Sequence, residues 1–464
     1  MPPQPTSTPT AAHVRRARRR VIVATTIGTA VEWYDYFLYA AAAGLVFNHL
    51  FFSGMGSENA ATVLSFLTAG LSFLFRPLGA FLAGHFGDRH GRRTVLMITL
   101  FGMGGSTALI GLVPTYDTIG MAAPLILVTL RIVQGISAGG EWGGAVLMAV
   151  EHAPVDKRGV YGAGPQIGVP AGLLLSSGVL ALMAWIAPGE AFLAWGWRVP
   201  FLLSVLLVAL GYAIRTGVDE SPVFAEIAER KRTVAAPVGR LFSGHWKVVL
   251  IAALVFAGNG AVGYMTAGGY IQHYAADPAG PVGLPRGQVL GAVALSAATW
   301  LVFTALAGRV SDSLGRRRTY ILGFAAQLVG VAALFPLVNR GSLAGLIGAL
   351  VLLTVGLGFT YGQQSAMYAE LFPASVRFSG VSITYAIGSI IGGAFAPTIA
   401  KSLFSATGST VAITAYLAAM TVVGLVAVLA LRDRTGIPLG PKHEKWQSVS
   451  PLRWESAEPA SAAA

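Results

Sequence analysis

Three acids and two arginines stand inside long apolar runs of this chain, where a charge is costly. Glu32 and Asp35 lie three residues apart, Arg76 and Arg131 occupy two further apolar runs, and Glu141 follows Arg131 by ten residues. An unpaired charge at the centre of a bilayer costs roughly 2.5 to 3.5 kcal/mol on insertion scales, so such groups face a cavity or a partner. A carboxylate in a low-dielectric cavity can take up and release a proton, and a guanidinium beside it can hold a second carboxylate through two hydrogen bonds without losing its charge. An anion arriving at the arginine weakens the pairing with the acid and favours its protonation, which links anion binding to proton binding.

Those side chains need helices to carry them. The apolar runs predict helices near residues 21–51, 60–84, 94–113, 122–150, 160–186, 199–216, 247–275, 287–308, 319–337, 344–369, 379–404 and 411–431. Glu32 and Asp35 then sit about 11 to 14 residues into the first, on the order of 16 to 21 Å deep at 1.5 Å per residue, and share a face. Arg131 reaches a similar depth from the other side, with Gln134 and Glu141 seven residues apart on one face. Two buried arginines and three buried carboxylates predict a charge cluster in the first half. The second half offers mainly neutral polar groups, Asn259, Tyr361, Gln363 and Gln364. A purely structural role competes for Arg131 and Glu141 as an interhelical network, for Arg76 as a lock on its helix, and for Asn259, Gln166, Gln364, Tyr34, Tyr36 and Trp142 as packing.

Composition agrees with a membrane solvent: 54% of residues are hydrophobic and 11% charged, against roughly 25% charged in soluble domains. The net charge of +12 is explained by position. Arginines and lysines crowd the N-terminal segment (Arg15 to Arg20), alternate loops (Arg89, Arg92, Arg93, Lys157, Arg158, Arg230 to Arg232, Arg316 to Arg318, Arg377) and the C-terminal segment, whereas the opposite loops hold Arg198, Arg286 and Arg340. The positive-inside rule places both termini in the cytoplasm and leaves no case for nucleic-acid binding. The expected organisation is a basic cytoplasmic tail (1–20), a six-helix bundle (21–216), a cytoplasmic linker (217–246), a second six-helix bundle (247–431) and a disordered tail (432–464). Five arginines before Val21 suggest a cleaved leader, but Glu32 and Asp35 interrupt the place where cleavage would occur, so the first helix is kept. There are no cysteines, hence no disulfide or thiolate metal site.

Two signatures recur. Gly84-His-Phe-Gly-Asp88-Arg89-His-Gly91-Arg92-Arg93 matches Gly308-Arg-Val-Ser-Asp312-Ser-Leu-Gly315-Arg316-Arg317, with 224 residues between Asp88 and Asp312. Glu151-x-x-Pro154 followed by Arg158 matches Glu370-x-x-Pro373 followed by Arg377, 219 residues on. Duplication in parallel order predicts two six-helix halves related by an axis along the membrane normal. The Asp and Arg groups at helix ends suit a gate, where a carboxylate can pair with an arginine or a helix terminus. Ser313 stands where the first copy has Arg89, so the two gates are unequal.

The Gly84 to Arg93 signature resembles that of the major facilitator superfamily. Within it the chain is similar to the metabolite:proton symporters, through Glu32-Trp33-Tyr34-Asp35-Tyr36, Arg76-Pro77-Leu-Gly79, Arg131-Ile-Val-Gln134-Gly135, Gly139-Gly-Glu141-Trp142-Gly143-Gly144 and Pro165-Gln166-Ile-Gly168-Val-Pro170. The resemblance covers residues 20–431. It implies an all-α membrane protein of twelve spans in a 6+6 arrangement, working by alternating access in a bacterial inner membrane as a monomer, with a proton gradient in place of any cofactor. The implied cargo is a small organic acid, such as shikimate or a di- or tricarboxylate, or else a zwitterion of the proline or betaine kind. Coupling is expected at Asp35, Glu32 and Glu141. Substrate contacts are expected at Arg131, Arg76, Gln134, Tyr36, Trp142, Gln166, Asn259, Tyr361 and Gln364. Gating falls to Gly84, Asp88, Arg89, Gly91, Arg92, Arg93, Glu151, Arg158, Asp312, Gly315, Arg316, Glu370 and Arg377. An uncoupled or antiporting carrier and a ligand-binding sensor are the alternatives.

Enzyme motifs are missing. The chain has no Gly-x-x-x-x-Gly-Lys-Ser/Thr loop to hold ATP, no His-Glu-x-x-His and no Gly-x-Ser-x-Gly, so energy comes from an ion gradient or from the substrate's own.

Overall fold

The computed structural model describes the backbone over residues 11–90, 92–139, 141–215, 237–267 and 269–456, and the side chains over 20–82, 98–139, 141–213, 239–267 and 269–456. Among the described residues it is all helical, with one isolated antiparallel bridge between Leu431 and Leu452. Twelve long helices follow one another: α1 (Ala11–Ala42), α2 (Glu58–His90), α3 (Arg92–Ile110), α4 (Ala122–Ala138, then Glu141–Glu151), α5 (Arg158–Ile186) and α6 (Arg198–Arg215) in the first half. The second half holds α7 (Pro237–Ala267, then Tyr270–Ala276), α8 (Arg286–Leu314), α9 (Arg316–Val338), α10 (Leu343–Phe359, then Gln364–Leu371), α11 (Arg377–Gly388, then Ala396–Thr407) and α12 (Thr410–Ala430). Ten are long and apolar enough to cross a membrane; the others are α1, which carries Glu32 and Asp35, and α3, whose apolar stretch Ile98–Ile110 is shorter.

Local chemistry sets the ends. Ser342 and Ser409 cap α10 and α12 by accepting from the amides of Gly345 and Val411, and Gly408 closes α11 in the left-handed region. Two helices start earlier than hydropathy predicts, α1 at Ala11 and α7 at Pro237, because hydropathy marks where lipid ends and not where a helix must stop. Arginine is a good helix former, and proline suits a first turn.

α5 packs most extensively on α8 and α1, while α1, α2, α4 and α5 face α7, α8, α10 and α11; α3, α6, α9 and α12 stand outside. Glycines allow the closest approaches. A Cβ at Gly172 of α5 would meet the Tyr34 amide at 2.7 Å and the Ala30 carbonyl at 2.8 Å, one at Gly308 of α8 would meet Ala163 at 2.6 Å, and one at Gly44, just past α1, would meet the Gly269 carbonyl between the two parts of α7. Backbones so close let dispersion hold helices that no hydrophobic effect drives together in lipid.

The segment after Leu431 departs from expectation. Its prolines predict disorder, yet it is built into the fold as far as residue 456. Arg432 N donates to the Pro451 carbonyl at 2.8 Å, and a turn at Pro441–His443 leads into the short helix Glu444–Gln447. This stretch buries Leu439 and Leu452 in the core and also supplies backbone carbonyls that satisfy arginines of the bundle.

Gly172→Val should lower the unfolding temperature of the detergent-purified protein, by the equivalent of about 1 to 3 kcal/mol for overpacking. Gly178→Ala, on the same helix but with nothing within 4 Å of its added Cβ, should hold or slightly raise it, by up to about 1 kcal/mol. Equal melting curves would refute this account of the α1–α5 contact.

Candidate functional site

Glu32 and Asp35 leave one face of α1 in different directions. Glu32 pairs with Arg76 of α2 at 3.1 Å, both deeply buried. The Arg76 guanidinium lies over the rings of Phe73 (4.5 Å) and Trp33 (5.4 Å). Arg76 Nε and Trp33 Nε1 are buried donors without a hydrogen-bond partner among the described residues. Asp35 accepts from Ser204 Oγ of α6 at 3.0 Å, with Thr107 of α3 beside it.

Arg131 is committed elsewhere. Its guanidinium donates to the Ala69 carbonyl (2.6 Å), to Ser72 Oγ (3.0 Å), to the Thr68 carbonyl (3.4 Å) and to Gln134, and it stacks on Tyr39 with 3.9 Å to the ring centre. Gln134 passes the chain on to Thr107 Oγ1 at 2.7 Å. Among the described residues no carboxylate comes within 4.0 Å of Arg131, so within the charge cluster expected of the first half Arg131 meets Asp35 only through Gln134 and Thr107. Glu141 turns to α1, where a Cβ on Gly28 would lie 3.9 Å from its Oε1.

Aromatic rings from both halves close around Arg76. Tyr36 lies 5.0 Å from Phe73 and 5.5 Å from Tyr264 of α7. Trp142 of α4 stacks on Tyr385 of α11 with centroids 3.7 Å apart, and its Nε1 donates to Gln166 at 3.2 Å. Gln166 Nε2 in turn donates to the Tyr361 carbonyl (3.2 Å) and to Gln364 (3.4 Å) of α10. Tyr361 and Tyr385 both feel the Glu32 charge. Tyr264 and Tyr385 carry no sequence motif; only the packing of the halves shows that they line the centre.

Asn259 stands apart from this centre. It donates to Thr360 Oγ1 (2.6 Å) and the Leu357 carbonyl (3.3 Å), while Gln327 joins Gly258, Thr360 and Thr421. The repeat explains the arrangement: Asn259 is 224 residues beyond Asp35, Gln327 is 220 beyond Thr107, and Thr421 is 217 beyond Ser204. The same corner is built twice, with an ionisable carboxylate in the first half and a neutral amide in the second.

At one end of the bundle the second signature forms a network across the halves. The Asp312 carboxylate accepts from the amides of Gly159 (2.7 Å) and Val160 (2.9 Å), in the first turn of α5, and from Arg316 (2.8 Å). Arg316 reaches Glu370 at 3.2 Å, which Arg158 of the other half approaches to 3.5 Å; Arg377 pairs with Glu151 at 3.4 Å. Each conserved-spacing position has a cause here: Gly308 lets α5 touch, Asp312 occupies a helix N-terminus, and Gly315, with φ +92°, breaks the chain so that Arg316 turns inward. Of the first copy, the side chains of Gly84, Asp88, Arg89, Gly91, Arg92 and Arg93 lie outside the described residues.

The C-terminal segment seals this end. Arg158 donates to the Ile437 carbonyl, Arg377 to the Leu439 carbonyl and to Gln447, and Asp433 accepts from the Arg317 amide at 3.1 Å. Gln447 is buried and also donates to the carbonyls of Pro438 and Gly440 at 2.8 Å. Burial lowers Arg434, itself part of this segment, to about 10, against the pull of Glu370.

Residues 25–397 match the family model of the Major Facilitator Superfamily. The chain belongs to that superfamily. It is 41% identical over 422 residues to the inner membrane metabolite transport protein YhjE of Escherichia coli K12, covering 90% of this chain and 94% of that one. It is 38% identical to the shikimate transporter of the same organism, covering 89% and 94%, and 31% identical to its proline/betaine transporter, covering 91% and 85%. Its fold matches the major facilitator proton:xylose symporter XylE with a TM-score of 0.72 over 92% of this chain and 98% of that one, at 18% identity. This major facilitator protein is therefore a membrane transporter, not an enzyme.

The far end of the transporter is closed as well. α1 bends through a π turn at Ala43–Phe47 to lay Gly44 on Gly269, and Gly70 of α2 touches the Ala394 carbonyl of α11. His273 of α7 and Lys401 of α11 meet there. Lys401 lies inside an apolar span, which is itself a signal of function.

Glu370→Gln would leave Arg158 and Arg316 without their shared counter-charge, and stranding a buried charge costs about 3 to 5 kcal/mol. A single cysteine at Ala163 should then react with a hydrophilic thiol reagent from the Arg158 end at least about tenfold faster than in the native background. Deletion of residues 432–464 should raise the same rate, by a smaller factor. No change in either would show that neither the network nor its cover closes this end.

Proposed function

We propose that this transporter imports a small organic acid across the bacterial inner membrane in symport with protons, with the Asp312–Glu370 end and both termini in the cytoplasm. The distribution of basic loops supports that orientation. The observation that carries the reading is the Glu32–Arg76 pair where the halves meet. A guanidinium already holding one carboxylate, with Nε unpartnered and aromatic rings on its flanks, is built to exchange that carboxylate for the substrate's.

A substrate carboxylate arriving at Arg76 displaces Glu32, and Glu32, left in apolar surroundings without its counter-charge, takes a proton. Substrate and proton then travel together, because each makes the other's binding favourable. Asp35, in its corner of hydroxyls, is the second coupling group, and the neutral Asn259 corner confines that role to the first half; Glu141 is the third candidate. Arg131, held by two carbonyls, a hydroxyl and an amide, positions α2 against α4 and is not an anchor. One available guanidinium favours a monocarboxylate over a di- or tricarboxylate. Tyr36, Trp142 and Tyr361 form apolar walls for a ring, and Gln166 and Gln364 present amides to its hydroxyls. The aromatic box and the nearby Glu32 also suit a betaine-like zwitterion, whose cation would lie against the rings.

Proteoliposomes loaded at neutral pH and offered shikimate, 2-oxoglutarate, citrate, proline or betaine under an inward proton gradient decide the matter. A ring-bearing monocarboxylate should accumulate with matching internal acidification; equilibration without acidification would make the protein a uniporter, and uptake of citrate alone would refute the single-anchor argument. Glu32→Gln and Asp35→Asn should each abolish accumulation while substrate exchange persists, and Glu32→Gln should bind substrate more tightly because the competing carboxylate is gone. Arg76→Lys should raise KM about tenfold or more through loss of bidentate contact, whereas Arg131→Lys should chiefly lower the unfolding temperature.

A further inference from the structure

α7 and α12 lie against each other, where a Cβ on Gly258 would meet the Gly424 Cα at 2.6 Å, and toward the Asp312–Glu370 end each presents an exposed apolar stripe. On α7 the stripe is Phe242, Trp246 and Leu250; on α12 it is Val422, Val426 and Leu429. Residues at these spacings share one helix face. Trp246, 52% exposed, immediately precedes the apolar run that begins at Lys247, so it marks the edge of the hydrocarbon.

The C-terminal segment brings a second tryptophan to the same level. Arg453 N donates to the carbonyl of Ala430, the last residue of α12, at 3.0 Å, and Leu452 is buried as it bridges Leu431. Trp454, next in the chain, is 58% exposed. Glu455 then reaches α7, pairing with Lys247 Nζ at 2.9 Å. Both indoles thus stand where two spans end, the depth at which the ring sits beside acyl chains and its N–H among headgroups.

The charge here is mainly positive. Lys247 and Arg453 are exposed, and so is Arg240, two turns before Lys247 on the same face. Against these three cations stands the Glu455 carboxylate, whose other oxygen accepts from Ser450 Oγ at 2.6 Å. Arg432 is occupied by the carbonyls of Ser450, Arg453 and Glu455. The Lys247–Glu455 pair is open to solvent, and such a pair holds its members weakly. A phosphate diester offers the two free cations a counter-charge, and its acyl chains cover the stripes, which a soluble anion leaves bare.

We propose that this patch binds an anionic phospholipid: the phosphate lies between Lys247 and Arg453, the two tryptophans flank it, and the acyl chains run along Leu250 and Val426. The lipid ties α7 to the segment that covers the gate. This site depends neither on which side of the membrane the end faces nor on the substrate.

Native mass spectrometry of the detergent-purified full chain, titrated with phosphatidylglycerol or with phosphatidylcholine, counts retained lipids and reads the number of chains in the same spectrum. The first phosphatidylglycerol should bind at least about tenfold more tightly than phosphatidylcholine, since two cations at a headgroup act together, and the preference should shrink as salt is raised. Lys247→Gln combined with Arg453→Gln should remove the preference. Lys442→Gln combined with Lys445→Gln, the same loss of charge at exposed residues beside α11, should leave it intact. Glu455→Gln should tighten phosphatidylglycerol by about two- to fivefold, because the competing carboxylate is gone. Unfolding temperatures of the variants separate loss of the site from loss of the fold, and should the Lys247, Arg453 variant fail to fold, Glu455→Gln and Arg453→Gln decide by moving affinity in opposite directions. No preference in the native protein, or the same loss in both double variants, overturns the proposal. A dimer that excludes the lipid would give this surface to a second copy of the chain and overturn it as well.

Discussion

The Glu370 carboxylate is shared by Arg158 of the first half and Arg316 of the second, and the closed arrangement of one end depends on that sharing. Neither arginine can be left alone in a buried place, and neither can reach lipid or water while α5 and α8 touch at Gly159 and Gly308. Asp312 adds a second tie, since its carboxylate replaces water on the first amides of α5. A state change must therefore exchange partners in a concerted way, because a half-broken network strands a charge. Such all-or-none behaviour lets a gate be open or closed with little between.

The same rule governs the centre at smaller scale. Glu32 and Arg76 neutralise each other, and in the proposed mechanism a substrate carboxylate enters by taking Glu32's place. Arg131 illustrates the contrast: an equally buried guanidinium, satisfied by carbonyls, a hydroxyl, an amide and the Tyr39 face, has no reason to release anything. What distinguishes an anchor from a brace is the number of donors still unmet, and this differs between two arginines of similar depth.

Ends and centre are built from the same kinds of contact. Carbonyls of the C-terminal segment complete the arginine network at one end, and Gly44 against Gly269 makes the contact of the first helix with α7 at the other. Apolar packing of glycine on backbone brings the helices within reach, and polar exchange decides when they part.

Much of this was legible in the residues. Apolar runs interrupted by Glu32, Asp35 and Arg76 marked the centre, and the second of the two signatures marked the charged network at one end, because charge burial and repeat spacing leave traces in one dimension. Helix starts at Ala11 and Pro237 were not legible, since hydropathy measures lipid and not helix. The order after Leu431 was hidden too: it rests on a few scattered side chains, Leu439, Gln447 and Leu452, and on backbone carbonyls, none of which forms a periodic pattern. The sequence determined that buried charges exist, in which helices, and that the fold is double. Only the tertiary structure decided which charge meets which, giving Glu32 to Arg76 and Asp35 to Ser204, and setting His273 against Lys401, 128 residues apart. The physical reason is that pairing depends on distances between helices, and those are fixed by how glycines let the two halves close.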